Sequence, residues 1–458
     1  MKKYILIILC CLKSFPLWSY NVNMIVEHYS VDQGLPNNTV NCTLKDRDGF
    51  IWFGTWYGLC CFDGVKFKTF NKQEHDSDVP PRKIQRIVED KNGYIWVKTI
   101  DRKLYVFNKV TECFHAVYDD MKNYSENIQV IKLQNTAEGD VLLLTKDKNL
   151  LLAGVDEKGQ VTIKILFDSR NEINKHDYTL KHHVLCETEE YISWIGTDYK
   201  VSAVHKGAEL ASRPADFITS KINSGDKDSF TSFFEDGRKV WVGDRAGIFY
   251  SIDVRTGLVN RYVLSEIKGA ISNLLVTPAG YVYLSVAGQG TYEYDLAERR
   301  LQKINTEMND AMVTHAFIDQ YDKIWFHENE KALIYYDPLN HTAKRFPFTM
   351  FGKITTLYSE DAGERGLFFL SPAGEAWLFD REHAEMVYIN KLKQLSNDRA
   401  NQQFYHLMLD NDGVLWLSSA DEGVYCMNFP KKQFNLLSLS PQSAGRENYA
   451  TGVRALFQ

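Results

Sequence analysis

An aromatic strand behind a polar turn recurs along this chain at nearly constant spacing, and no other feature limits its fold so tightly. The stretch DRDGFIWFGTWYGL (Asp46–Leu59) sets a tight turn, a short aromatic strand and a second turn side by side. Trp returns at the central position in DKNGYIWVKT (Trp96), EEYISWIGTD (Trp194), DGRKVWVGDRAGI (Trp241), QYDKIWFHEN (Trp325) and DNDGVLWLSSADEGV (Trp416). Three of the gaps are about double the others. Copies with another apolar residue in the Trp place fill them: AEGDVLLLTKD (Leu142), PAGYVYLSVAGQG (Tyr283) and ERGLFFLSPAG (Phe369). The positions 52, 96, 142, 194, 241, 283, 325, 369 and 416 lie 42 to 52 residues apart. A period of this length marks a solenoid, a propeller or an array.

Each copy follows one plan. A β-rich run such as TVNCTLKD or FTSFFED comes first, then a D-x-D-G-like turn, then the aromatic strand. A loop that often ends in Gly leads to a third strand (GLCCFD, GIFYSID, GTYEYD), and a fourth such as KFKTF closes the unit. Four short strands in about 45 residues make a β-propeller blade. No amphipathic helix of useful length is present, which excludes helical solenoids. The fold expected is therefore all-β, a propeller of four-stranded antiparallel blades with about nine repeats. The repeated Trp reads as packing between blades, and the Gly after it as room for a neighbouring backbone. MIVEHYSVDQGL reads as a fourth strand without its own first three, suited to completing the last blade of a ring and removing an open edge. Two ring arrangements are open. One is a seven-bladed ring over residues 23–345 with a second, truncated ring opening over 346–458, which is the division adopted. The other places all nine copies before the junction-like FPKKQF. NYATGVRALFQ reads as the first strand of a tenth copy.

MKK, the apolar YILIILCCL and KSFPLWS together read as a secretory signal peptide over residues 1–19. The apolar run is too short to span a bilayer. A net charge of −6 offers no general attraction to nucleic acid or to an anionic membrane. Cys42, Cys60, Cys61, Cys113, Cys186 and Cys426 show no disulfide framework and no C-x-x-C. They read as small buried apolar residues, with one of the vicinal pair Cys60 and Cys61 pointing to an exposed face.

The opening HYSVDQGLPNNTVNCTLKDRDGFIWFGTWYGLCCFDGVKFKTF resembles the two-component regulator propeller, the extracytoplasmic sensor of hybrid two-component systems in glycan-degrading gut bacteria. The resemblance extends over about residues 23–458, strongest in the first blade. It implies a periplasmic region that dimerises and binds an oligosaccharide to switch on genes for glycan use. It also implies a β-sandwich, a membrane helix, a histidine kinase and a DNA-binding module, none of which this sequence contains. Contact with a membrane would then run only through such C-terminal segments.

In such a blade the loops between second and third strands share one face with the links between blades, and function favours loops of this kind. Those loops supply Trp56 and Tyr57, Arg102 beside Asp101, Lys146 and Asp147, Tyr199 beside Asp198, Arg245 beside Asp244, Gln289, His327 with Glu328 and Asn329, and Asp421 with Glu422. Unlike the Trp ladder, this set varies between blades. It mixes flat rings with forked donors and acceptors, as a sugar requires. The ligand-binding candidates are Trp56, Tyr57, Arg102, Tyr199, Arg245, Gln289, His327, Asn329 and Asp421. A solvated rim would favour the same polar residues. The Asp-box of propeller sialidases, S-x-D-x-G-x-x-W, is not met: Arg47 holds the acid place and the Ser is absent. No catalytic acid pair, calcium loop, zinc set or nucleotide-binding glycine pattern is found. The expectation is a binding region with no cofactor and no metal; a propeller glycoside hydrolase or lyase and a protein-interaction platform are the alternatives.

Overall fold

The structure, a computed structural model, describes residues 25–70, 80–121, 129–147, 149–167, 185–187, 190–195, 200–207, 217–221, 230–304, 313–328, 331–351, 358–361, 366–371, 375–391 and 404–428. Among them stand nine four-stranded antiparallel sheets. Eight run in chain order, as in blade 1: Val40–Lys45, Ile51–Thr55, Gly58–Phe62 and Phe67–Phe70. The ninth takes Phe404–Leu409, Val414–Ser419 and Val424–Asn428, and its fourth strand is the N-terminal Ile25–Tyr29. Ile25 lies opposite Asn428 and Tyr29 opposite Val424. The expected closing strand is thus in place. The signal segment and the tenth-copy strand lie outside the described residues.

First strands touch first strands. Val40–Lys45 packs against Ile84–Glu89 of blade 2 on one side and against Phe404–Leu409 of blade 9 on the other. The first strands are therefore the ones nearest the axis. Between every two successive blades lies one cluster of buried apolar side chains. Trp52, Leu59 and Phe70 meet Ile87 and Phe107 between blades 1 and 2. Trp325 and Phe346 meet Phe369 and Phe379 between blades 7 and 8. Trp416 and Val424 meet Val40 and Phe53 between blades 9 and 1. The circuit closes over nine blades, which differs from the seven-plus-two division at residue 345. The physical reason is local. The last strand of blade 7 runs Thr342–Pro347 across that boundary, and Phe346, Phe348 and Phe351 are buried against blade 8. A ring ends where an edge strand finds its partner, and here that partner is Ile25–Tyr29.

Stacking on both sides explains the middle strands. Ile51–Thr55 and Gly58–Phe62 are buried at every position, as expected for strands covered on two faces. This corrects the expectation that one of Cys60 and Cys61 is exposed. They do point to opposite faces, but Cys60 enters the core shared with blade 9 and Cys61 the core shared with blade 2. Cys42, Cys60, Cys61, Cys113 and Cys426 are free thiols and buried. Burial pushes the Cys42 and Cys426 thiols up to about 12.

The Gly of the second strand has a spatial reason rather than a conformational one. A Cβ on Gly54 would stand 2.4 Å from Cys42 Sγ and 2.5 Å from Ile84 Cγ2 of the next blade. On Gly243 it would meet Ser232 Oγ at 2.4 Å and Ile271 Cγ2 at 2.7 Å. Gly54→Ala should therefore destabilise by about 1–3 kcal/mol through overpacking, read as a lower denaturation midpoint. An unchanged midpoint would show that blade 2 can step aside.

Helical structure among the described residues is confined to single turns at Val31–Gln33, Tyr118–Met121 and Phe348–Phe351. No helix there is long and apolar enough to cross a membrane.

Candidate functional site

The two faces of the ring are built differently. On one face lie the turns between first and second strands, and their leading aspartates serve the fold. Asp46 Oδ1 accepts the backbone N–H groups of Asp48 and Phe50 at 3.0 and 2.9 Å, which shapes the turn. Its Oδ2 accepts the Trp52 indole N–H at 2.7 Å. Asp90 with Trp96, Asp236 with Trp241, Asp319 with Trp325 and Asp410 with Trp416 repeat the bond at 2.7 to 3.2 Å. Where the strand residue is Leu142 or Tyr283, the turn residue is Thr136 or Thr277. Each Thr hydroxyl still accepts a turn N–H, and no indole needs a second oxygen. Tyr283 instead donates to the buried Glu293 at 2.9 Å. The signal lies in the sequence: Asp six residues before Trp52, Trp96, Trp325 and Trp416 and five before Trp241, with Thr six before Leu142 and Tyr283.

The carboxylates of Asp46, Asp48 and Glu89 converge closely enough to hold a cation. The ammonium of Lys109 stands among them, at 3.1, 2.7 and 2.8 Å. Burial opposes its charge, but the three hydrogen bonds outweigh burial and hold Lys109 above the usual lysine range. A side-chain cation thus already occupies the position.

The opposite face carries the loops between second and third strands. In blades 9, 1, 2 and 3 a staircase of backbone hydrogen bonds ties these loops to the interblade links beside them. Gly423 N–H donates to Asn38 O, Trp56 N–H to Thr39 O, Lys83 N–H to Trp56 O, and Ile100 N–H to Lys83 O, at 2.8 to 3.0 Å. Val130 N–H then donates to Arg102 O and Lys146 N–H to Gln129 O, at 2.9 and 2.8 Å. The shared face expected from the sequence is therefore real, and across blades 9, 1, 2 and 3 it is one continuous rim. Loops fixed in this way can present side chains without the ordering cost of free segments.

The candidate residues divide on this rim. Trp56 and Tyr57 are 37% and 61% exposed. Lys83, a link residue absent from the sequence-derived set, holds its ammonium 5.3 Å from the centre of the Trp56 ring. Ile100 adds apolar surface at 44% exposure. Arg102 is exposed and takes a left-handed backbone (φ 67°) at the tip of the next loop. Its charge, with that of Arg86, adds to burial in holding Lys98 below the usual lysine range. Asp421 is exposed on blade 9. These four candidates thus share one arc. Arg245 is also exposed, but on blade 5, away from that arc.

Other candidates are engaged in holding the frame. Gln289 accepts from Lys268 N–H at 2.7 Å and donates to Glu266 O at 3.2 Å, pinning its loop to the preceding link. His327 is half-buried, contacts Thr314 Oγ1 through Nδ1 at 2.9 Å, and packs on Phe348. Burial, then the neighbouring His315, keeps its imidazole below the ordinary range. Asp244 is buried and caps its own loop through Ala246 and Ile248 N–H. Glu328 is buried against Arg345 at 3.0 Å. Asp101 and Asp147 accept from Thr99 and Thr145 within their turns. Sequence alone could not separate these from the free rim, because polar turn builders and polar ligand binders are the same residue types. Tyr199, Asp198 and Asn329 lie outside the described residues.

Residues 34–57, from the Gly34 turn through the first aromatic strand to Tyr57, match the family model described as "Two component regulator propeller". The first blade therefore carries that repeat. No curated protein matches the chain. Solved structures of similar shape include the extracellular domains of two hybrid two component systems from B. thetaiotaomicron. The first is 13% identical, covers 87% of this chain and 66% of its own, with a TM-score of 0.36. The second is 14% identical, covers 87% and 58%, with a TM-score of 0.33. Virginiamycin B lyase from Staphylococcus aureus is similar at 8% identity, 88% and 99% coverage and a TM-score of 0.33. This chain spans less than two thirds of the length of the two sensor domains. Likenesses at this level assign no chemistry.

Proposed function

We propose that this chain is the extracytoplasmic, ligand-sensing propeller region of a hybrid two-component sensor, and that it binds an oligosaccharide to control glycan-utilisation genes. One coincidence carries the reading. The blade that matches the two component regulator propeller repeat also presents the exposed Trp56 and Tyr57 on the stapled rim. Beside them stand Lys83 and Arg102, and Asp421 lies on the preceding blade. A flat aromatic surface flanked by forked and point-charge donors suits the C–H face and hydroxyls of a sugar. The region acts by binding. The full-length protein works as a periplasm-facing homodimer, held at the membrane by segments beyond this chain.

A glycan array followed by titration calorimetry tests this. Covering roughly 60–80 Å² of the Trp56 ring contributes about 1.5–2 kcal/mol. Trp56→Ala should therefore weaken the best glycan about tenfold or more, while Gln289→Ala acts on stability rather than on affinity. Cleavage of a bound sugar would replace the sensor by a propeller hydrolase or lyase. Silence across all glycans would leave a protein-interaction platform.

A further inference from the structure

A second site is built inside the ring, away from the rim. The first strands of blades 9, 1 and 2, with the end of blade 3's first strand, bound a cavity of about 410 Å³. The wall uses the later halves of these strands, so the cavity lies on the side of the aspartate turns. Its polar lining is Thr43, Lys45, Arg86, Glu89, Asn135 and His406.

Most of these groups are already committed. Lys45 pairs with Asp410 at 3.5 Å and with Asp412. Glu89 is held by Lys109 at 2.8 Å and Arg47 at 3.2 Å. Asn135 Nδ2 donates to Glu89 O. Three groups are not committed. Arg86 is exposed on the first strand of blade 2, and no hydrogen bond or ion pair reaches it among the described residues. Thr43 is 5% exposed, and its hydroxyl is buried without a partner. His406 Nδ1 is likewise buried without a partner. Burial, then the charge of Arg86, holds His406 below the ordinary imidazole range, which places the guanidinium within electrostatic reach of the ring. Buried polar atoms are seldom left unpaired, and such exceptions ask for an explanation. Here two such atoms, Thr43 Oγ1 and His406 Nδ1, line one cavity that also holds an uncompensated cation.

We infer that this cavity binds a small molecule of monosaccharide size carrying one carboxylate. The Arg86 guanidinium takes the carboxylate, and Thr43 Oγ1 and His406 Nδ1 hydrogen-bond its hydroxyl groups. The volume lies in the range of small-molecule sites. A planar, forked guanidinium matches a carboxylate with two parallel bonds. The charge count selects a singly charged ligand, because Lys45 and Glu89 are already neutralised by their own partners. The inference is independent of the rim reading, since the two sites lie toward opposite faces.

Titration calorimetry of the full chain with glucuronate, glucose and inorganic phosphate tests it. Glucuronate should bind, with glucose at least tenfold weaker. Arg86→Gln, at an exposed position, should weaken glucuronate tenfold or more without lowering the melting temperature. Thr43→Val should also weaken glucuronate while the unliganded melting temperature holds or rises, because a buried unpaired hydroxyl is removed. Trp56→Ala should leave glucuronate binding unchanged. Glucuronate binding no better than glucose, or unaltered in Arg86→Gln, would overturn the site. Phosphate binding as tight as glucuronate and equally sensitive to Arg86→Gln would overturn the sugar-acid assignment and leave a site for a free inorganic anion.

Discussion

A chain beginning at Ser30 should lose closure of its ring. Ile25–Tyr29 is the fourth strand of blade 9, paired with Val424–Asn428 along its length. It also carries the chain from blade 9 into blade 1. The strand adds side-chain packing to its ladder. His28 stacks on Tyr425 at 4.5 Å, and Tyr29 meets Phe62, Phe67 and Trp416 at 5.0, 5.4 and 6.5 Å. Its removal leaves Val424–Asn428 as an open edge, a template for pairing between chains. Taking each lost backbone hydrogen bond at about 1 kcal/mol, a few kcal/mol are lost at that seam. Local opening then rises by roughly a hundredfold. Hydrogen exchange should report this in Val424–Asn428 and Val40–Lys45, with blades 5 and 6 little affected, and the truncated chain should self-associate. Unchanged protection at Val424–Asn428 would mean that another element closes blade 9.

The closing strand was legible because a fourth strand with no preceding three is a local pattern. The repeat was legible for the same reason: turn, aromatic strand and glycine recur in sequence, and blade stacking enforces them at every turn of the ring. The number of blades per ring is not a local property. It depends on which edge meets which, and the contact that decides it joins residues near 27 to residues near 426. The burial of both Cys60 and Cys61 shows the same gap. Alternation places them on opposite faces, but only the stacking geometry makes both faces interior. At the rim the sequence placed Trp56, Tyr57, Arg102 and Asp421 on one face, and the structure gathers them on adjoining blades. Lys83 was missed because the links carry no periodic signal. Gln289 and His327 were chosen by residue type, and their engagement depends on partners in loops and strands that no spacing rule names. The channel cavity was invisible for the most basic reason: Thr43, Arg86 and His406 meet only once the ring is closed.

The pairing of Asp with Trp across the blades predicts a coupled pair of substitutions. Blade 2 offers the cleanest test. Asp90 and Trp96 are 1% and 0% exposed, and their bond is 2.9 Å. Trp96→Leu should cost about 2–4 kcal/mol, because the smaller side chain leaves space in the core shared with blade 3. It also removes one donor from Asp90 Oδ2, which is left with Val155 N–H at 3.3 Å. Asp90→Thr should cost about 1–3 kcal/mol, since the Trp96 indole N–H then sits buried without an acceptor. Together the two changes reproduce the Thr136 and Leu142 arrangement of blade 3, where the Thr hydroxyl holds the turn and no indole asks for more. The double variant should therefore be more stable than the sum of the single losses implies, by about 1 kcal/mol in a double-mutant cycle read by denaturant unfolding. Strict additivity would mean that the aspartate is only a turn former, and that its recurrence before each bonded Trp comes from the turn alone. A positive coupling would make the pair the unit that each blade repeats: one carboxylate shapes the turn with one oxygen and anchors the interblade core with the other.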